Sequence, residues 1–154
     1  MFNYYFDEDR PGHEDVVKLF EAIGGGRYRG YASTYVTEEL KRAPEPKRND
    51  MLALTNKYGI TVLEVTPDVA RLSELYIENG IIPASYFYDS AHIAMASAYE
   101  LDRVISYNFK HINRDKTRTL TADINRSKGY DSIIICTAGE VLNDGGEENG
   151  QLGG

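Results

Sequence analysis

The sequence predicts an α/β fold in which helices flank a parallel sheet. Short segments rich in β-branched and apolar residues alternate with longer segments that have apolar residues at helical spacing. Strands and helices that alternate in this way form one parallel sheet with right-handed crossover connections. At 154 residues, 42% of them hydrophobic, the chain is long enough for a single domain with a buried core.

The first half of the chain is predicted to contain three helices and two strands. Apolar residues recur at helical spacing over 13–23, and three glycines end this helix. A short strand over 28–33 leads into a helix over 34–42, which a Pro-rich segment ends. A further helix over 48–58 ends at a glycine, and β-branched residues over 60–65 indicate the second strand.

The second half is predicted to contain two helices and two strands. The segment 66–68 combines a cap residue, a proline and an acid, which marks a helix start, and this helix ends at Asn-Gly over 79–80. Small residues dominate the next helix, about 88–100, and would let it pack close to a sheet. Strands follow over 103–107 and 131–137, with a polar, partly helical segment between them.

The two ends of the chain do not continue this pattern. Residues 143–154 are polar and Gly-rich and are predicted to form a flexible tail, so the predicted domain is 1–142. Parallel sheets usually begin with an apolar strand, whereas this chain begins with an aromatic run beside a helix. We therefore expect the first strand to be missing.

Charge and composition restrict the classes of function. The net charge is −7, which argues against binding nucleic acid through a broad basic face. An enzyme that meets phosphates through a bound divalent metal remains compatible, because its acids hold the metal. The lone Cys136 excludes an internal disulfide, and we find neither a signal-peptide pattern nor an apolar run of the roughly 20 residues that a membrane span needs. These features favour a cytoplasmic protein with no membrane partner.

Three polar residues lie where such a sheet would bring side chains together. Glu39 is in the helix after the first predicted strand, Asp89 begins the helix before the strand 103–107, and Asn108 follows that strand. Carboxylates that converge at one end of a sheet need a cation, and oxygen ligands suit Mg²⁺ or Mn²⁺. Each residue also has an ordinary interpretation: a solvated helix face for Glu39, a helix cap for Asp89 and a turn for Asn108.

The segments that contain these residues resemble the PIN-domain family, which includes the ribonuclease toxins of toxin–antitoxin pairs. The matching motifs, in order, are Ser33-x-x-Val36-x-x-Glu39-Leu40, then Asp89-x-x-His92-Ile-Ala, then Val104-Ile-Ser-x-Asn108-Phe-Lys-His-Ile. The resemblance extends over nearly the whole chain up to about Leu142, and its middle motif is the most specific.

The resemblance implies a three-layer sandwich and hydrolysis of RNA phosphodiesters that depends on Mg²⁺ or Mn²⁺. Glu39 matches the second acid of the family and Asp89 the third, and Asn108 stands where many members have a fourth Asp. All three would be catalytic and metal-binding residues. Ser106 matches a hydroxyl residue that supports the metal-bound water, and His92 would hydrogen-bond Asp89 or the outer shell of the metal, or else pack at the helix–sheet contact.

The resemblance also implies partners and a departure from the family pattern. It implies an RNA substrate, an antitoxin protein and a homodimer. Family members begin with a central strand that ends in an Asp, and neither this strand nor this Asp is found here, so activity would be impaired. The aromatic N-terminus or another chain would have to fill the gap. The alternative is a non-catalytic protein- or RNA-binding module with the PIN fold; a phosphatase- or receiver-like domain is a weaker third hypothesis, since it also needs an Asp after the first strand.

Overall fold

The structure is a computed structural model that describes residues 2–35, 38, 42, 44–45, 47–144 and 151–153. Within these residues seven α-helices and five strands are found. The helices are α1 (Phe2–Phe6), α2 (His13–Gly24), α3 (Lys47–Lys57), α4 (Pro67–Glu78), α5 (Phe87–Ala98), α6 (Asp115–Ser127) and α7 (Ala138–Asn143), with a 3-10 turn at Ala84–Tyr86 before α5. The strands are β1 (Arg29–Ser33), β2 (Thr61–Leu63), β3 (Arg103–Ile105), β4 (Ile134–Cys136) and β5 (Gln151–Gly153).

The five strands are parallel and lie in the order β2-β1-β5-β3-β4. The predicted class, a mixed α/β fold with a parallel sheet, is confirmed. The four strands predicted from sequence are all present, although each is shorter than its predicted range. The carboxyl ends of parallel strands lie at the same edge of the sheet. The last residues of β1, β2 and β3, which are Ser33, Leu63 and Ile105, are therefore on the same side.

The centre of the sheet differs from the prediction. The position expected to lack a strand is held by β5, from the segment predicted as a flexible tail. The aromatic N-terminus does not fill this position, because Phe2–Phe6 form the helix α1, which packs on α2. The tail prediction rested on a polar, Gly-rich composition, and a three-residue strand enclosed by two neighbours needs little intrinsic propensity.

Helices cover both faces of the sheet. On one face α2, α3 and α7 pack on alternate strand residues, among them Ala32, Ile105 and Cys136. On the other face α4 and α5 pack with Ile135, and α5 also covers Val104. The period-two alternation of these residues along the strands places consecutive side chains in different cores. Cys136 is a buried free cysteine, and burial raises the pKa of its thiol to about 11.

The structure describes the start of α4 in full but only part of the predicted helix 34–42. The Thr66 hydroxyl accepts a hydrogen bond from the Val69 amide at 3.2 Å, and Pro67 is in the first turn, as the sequence predicted. Of the predicted helix 34–42, residues 36, 37 and 39–41 lie outside the described residues.

A buried polar network joins α4, α5 and α6. The Tyr76 hydroxyl donates to the side-chain oxygen of Asn125, and the Asn125 amide nitrogen donates to the Ser97 hydroxyl at 2.8 Å and to the Asp131 carbonyl at 2.9 Å. Burial raises the pKa of Tyr76, which keeps this hydroxyl neutral. The network fixes α6, which the sequence indicated only as a partly helical segment, against the two helices before it.

Candidate functional site

The candidate site lies at the carboxyl end of β3, where the first turn of α5 meets the loop after the strand. Asp89 is in that first turn, and Asn108 is three residues beyond the end of β3. The Asn108 side chain lies close enough to the Asp89 carboxyl group to lower its pKa. The structure therefore brings together two of the three residues that the sequence singled out.

Asn108 also shapes its own loop. Its amide nitrogen in the main chain donates to the Ser106 hydroxyl at 3.2 Å, and its side-chain oxygen accepts from the His111 amide at 3.1 Å. Its main-chain carbonyl accepts from the amides of Ile112 and Asn113. Since the side-chain oxygen faces His111, the NH₂ group is the part that is available to donate to Asp89. Asn108 is thus both a turn residue and a partner of Asp89.

Ser106 belongs to the same turn and is almost fully buried. Its main-chain amide donates to the Cys136 carbonyl at 2.9 Å, which continues the β3–β4 ladder by one residue. Its carbonyl accepts from the Asn113 side chain at 2.9 Å, and its hydroxyl accepts from Asn108. These contacts fix Ser106 beside the pair Asp89–Asn108.

Burial raises the pKa of Asp89, and the hydrogen bond from Asn108 opposes part of this rise. A carboxylate in a partly dry site is disfavoured unless a positive charge or further donors are near. A bound cation would lower this pKa again, so metal binding and proton release would be coupled at Asp89.

His92 lies one helical turn after Asp89 on α5. The residue is partly exposed, but its Nε2 is buried and has no hydrogen-bond partner among the described residues. Burial lowers the pKa of His92 to about 4, so the imidazole is neutral at neutral pH. A neutral imidazole nitrogen can accept or donate one hydrogen bond, depending on the tautomer.

The donor set suits a weakly held hard cation. Asp89 supplies one carboxylate, and Mg²⁺ commonly binds through one or two carboxylates together with water. No group of three or more His, Cys, Asp or Glu side chains that could hold a metal occurs among the described residues. Glu39, the other predicted ligand, lies outside them.

Sequence reasoning missed a polar network that supports the loop after β3. The Thr117 hydroxyl donates to the His111 carbonyl at 2.5 Å, and the Arg118 guanidinium donates to the Asn113 side chain and, at 3.4 Å, to the Ile135 carbonyl. Asn113 and Thr117 are buried. Nothing in the sequence distinguishes them from the exposed polar residues around them, because only the packing of α6 on the loop buries them.

Aromatic residues near the site mostly pack on one another. Tyr86 lies against the His111 ring at 4.8 Å between centroids, and Tyr35 contacts Tyr88 at 5.4 Å. Tyr107 stacks on Tyr4 at 4.4 Å, and its hydroxyl accepts from the Ala138 amide at 3.2 Å. These contacts favour packing over base stacking, especially for Tyr107.

Comparison with models of known protein families, with curated proteins and with solved structures finds no match to this chain. Among the helices of the described residues, none has both the length and the apolar character that a membrane crossing requires.

Proposed function

We propose that the protein is a PIN-like ribonuclease that depends on Mg²⁺ or Mn²⁺ and hydrolyses RNA phosphodiester bonds. The observation that supports this most is the proximity of Asp89 and Asn108 at the carboxyl end of a parallel strand. Ligand sites of open α/β sheets lie at this edge. The three-layer PIN-like sandwich, the RNA substrate, an antitoxin partner, a homodimer and a cytoplasmic location are parts of the same proposal.

Each residue has a distinct role in this proposal. Asp89 is the main metal ligand, and Asn108 orients its carboxylate through the amide group. Ser106 fixes the turn that carries Asn108, and His92 stays neutral and offers a hydrogen bond near the outer shell. Glu39 is assigned as a second carboxylate ligand on sequence grounds alone. A divalent metal held here would lower the pKa of a bound water and stabilise charge on the phosphate.

RNA cleavage in the presence of Mn²⁺ tests the proposal. Asp89→Asn and Glu39→Gln remove one negative charge each with little change in size, and we expect both to abolish cleavage. Asp123→Asn is the matched control, since Asp123 is an exposed acid on α6 whose contact with Arg126 is 3.5 Å long. Cleavage that is equal in the wild type, in both site variants and in the control would contradict these roles.

A second function is a non-catalytic protein- or RNA-binding module with the same fold. One observation favours it specifically: no group of three or more His, Cys, Asp or Glu side chains that could hold a metal occurs among the described residues, and the group that lowers the pKa of Asp89 is the amide of Asn108. Mn²⁺ titration separates the two functions. A working metal site raises the melting temperature as Mn²⁺ is added, whereas a module without such a site shows no increase.

A further inference from the structure

The loop after β3 has an exposed aromatic side chain beside the candidate site. Phe109 is 58% exposed, the largest fraction among the exposed large hydrophobic residues of the described chain. It directly follows Asn108, the residue whose side chain lies near Asp89. Single exposed apolar side chains are ordinary on protein surfaces. Phe109 differs from the others because it is one residue away from the candidate site.

The loop holds Phe109 in a defined position. The Phe109 amide donates to the Tyr107 carbonyl at 3.1 Å, and the two rings meet edge to face at 6.3 Å between centroids. Tyr107 is itself held by its stack on Tyr4 and by the hydrogen bond from the Ala138 amide. An exposed ring that is positioned before a ligand binds loses little conformational entropy on binding.

The same loop and the start of α6 are basic, although the chain is acidic. Residues 108–118 contain one acid, Asp115, and four basic residues, which are Lys110, Arg114, Lys116 and Arg118. This segment therefore has a net charge of +3, whereas the whole chain has a net charge of −7. Asp115 pairs with Arg118 at 2.9 Å. Within the described part of the chain the other three basic side chains form no ion pair, so their charges remain available to an anionic ligand.

Two hydrogen bonds keep Arg114 beside this loop. Its Nε donates to the Thr117 hydroxyl at 3.1 Å, and that hydroxyl donates to the His111 carbonyl. An exposed aromatic ring among cations is the combination that binds single-stranded nucleic acid, because a base stacks on the ring and the phosphates meet the cations. An acidic peptide would use the cations but has no base to stack on Phe109.

We propose that the loop after β3 is a binding surface for single-stranded RNA, on which Phe109 stacks against a base while Lys110 and Arg114 contact the neighbouring phosphates. RNA is the ligand here because of the proposed ribonuclease function, on which this inference rests. A base stacked on Phe109 would bring the adjoining part of the strand to Asp89. Phe109 is thus a substrate-binding residue that contains no acid or metal ligand.

RNA binding in EDTA tests the role of Phe109, because EDTA prevents metal-dependent cleavage. The probe is a fluorescently labelled single-stranded RNA of about ten nucleotides, followed by fluorescence anisotropy. We expect Phe109→Ala to weaken binding at least about fivefold and Phe109→Tyr to keep it, since the tyrosine ring can also stack. Phe6→Ala is the matched control, because Phe6 is also exposed but its ring packs on Tyr5, and its affinity should equal that of the wild type. No binding by the wild type, or equal binding by Phe109→Ala, would overturn the proposal.

The salt dependence of the same binding tests the phosphate contact. Lys110→Gln should reduce the slope of log affinity against log salt concentration by about 0.7, the value for one phosphate contact to a single strand. Lys128→Gln is the control, since Lys128 is exposed at the opposite end of α6, and its slope should remain that of the wild type. An unchanged slope in Lys110→Gln would overturn the phosphate contact. Displacement of the RNA by polyglutamate as effectively as by unlabelled RNA would overturn RNA as the ligand.

These results are distinguishable from a failure of the proposed function. Cleavage in Mn²⁺ combined with unchanged RNA binding by Phe109→Ala would overturn the binding surface and leave the ribonuclease function in place. RNA binding that depends on Phe109, without any cleavage in Mn²⁺, would support the binding surface and contradict the ribonuclease function.

Discussion

At the scale of single residues, the site is defined by a carboxyl group whose charge is disfavoured. Asp89 is largely buried, and the nearby Asn108 amide only partly offsets the free-energy cost of removing its negative charge from water. From sequence, a metal ligand, a helix cap and a turn residue were all reasonable interpretations of these two positions. The structure shows that Asn108 forms the turn and also lies near Asp89, which no local pattern predicts because the two residues are on different elements.

The first prediction concerns the pH dependence of stability at Asp89. Its pKa is raised in the folded state, so its contribution to stability is present below the unfolded pKa and is lost as pH rises through the folded pKa. We expect Asp89→Asn to raise the free energy of unfolding at pH 7 relative to the wild type, and to have a smaller effect at pH 3. Urea unfolding at both pH values measures this. A loss of stability at pH 7 would contradict a desolvated carboxylate.

The second prediction concerns His92. Burial lowers its pKa from 6.5 to about 4, so its contribution to stability is present above pH 6.5 and is lost as pH falls towards 4. The loss amounts to at most about 3 kcal/mol, since each pKa unit corresponds to about 1.4 kcal/mol. His92→Gln should flatten the change in unfolding free energy between pH 7 and pH 4.

The matched control is His111→Gln, which removes a histidine of the loop after β3. The comparison of His92→Gln with this variant separates the effect of His92 from the loss of any histidine near the site. Equal slopes in the wild type and His92→Gln would show that His92 titrates normally and is not buried.

At the scale of elements, local signals predicted well what local chemistry controls. The cap, proline and acid at residues 66–68 marked the start of α4, and the structure confirms that start. Glycines likewise marked the ends of α2 and α3, because the end of a helix also depends on local chemistry. Elements that tertiary contacts stabilise were predicted less well. The sequence indicated α6 only as a partly helical segment, and the network around Asn125 holds it. The sequence did not predict β5, which two neighbouring strands hold.

The third prediction is that the helix cap at Thr66 contributes measurably to stability. Thr66→Ala removes the acceptor for the Val69 amide and should lower the free energy of unfolding by about 1 kcal/mol. Thr66→Ser keeps a hydroxyl at the cap and should retain most of the free energy of unfolding that Thr66→Ala loses. Equal stability of the alanine and serine variants would contradict a role for the cap.

The fourth prediction concerns the network between α4, α5 and α6. Asn125→Ala leaves buried groups of Tyr76 and Ser97 without their Asn125 partner and should lower the free energy of unfolding by about 1–3 kcal/mol. Ser127→Ala on the same helix is the control, since Ser127 is exposed and should cost little. Chemical denaturation of both variants measures the difference. A similar small loss in both would show that the network adds no stability.

At the scale of the whole molecule, the alternation of strands and helices was enough to predict a parallel sheet covered on both faces. The alternation could not give the order of the strands, because the centre is filled by a segment that is distant in sequence and has little strand propensity. The same topology places Asp89 and Asn108 at one edge of the sheet. The functional proposal therefore depends on a site that the fold assembles from separate segments.

The most direct test of this proposal is the melting temperature of the protein as Mn²⁺ is added at constant pH. If Asp89 and Asn108 form a divalent-metal site, the melting temperature of the wild type rises with Mn²⁺ concentration. The rise is lost in Asp89→Asn, kept in Asp123→Asn and larger in Asn108→Asp, which adds a second carboxylate. A melting temperature that does not change with Mn²⁺ in the wild type, or that rises equally in Asp89→Asn, would contradict the proposed metal site.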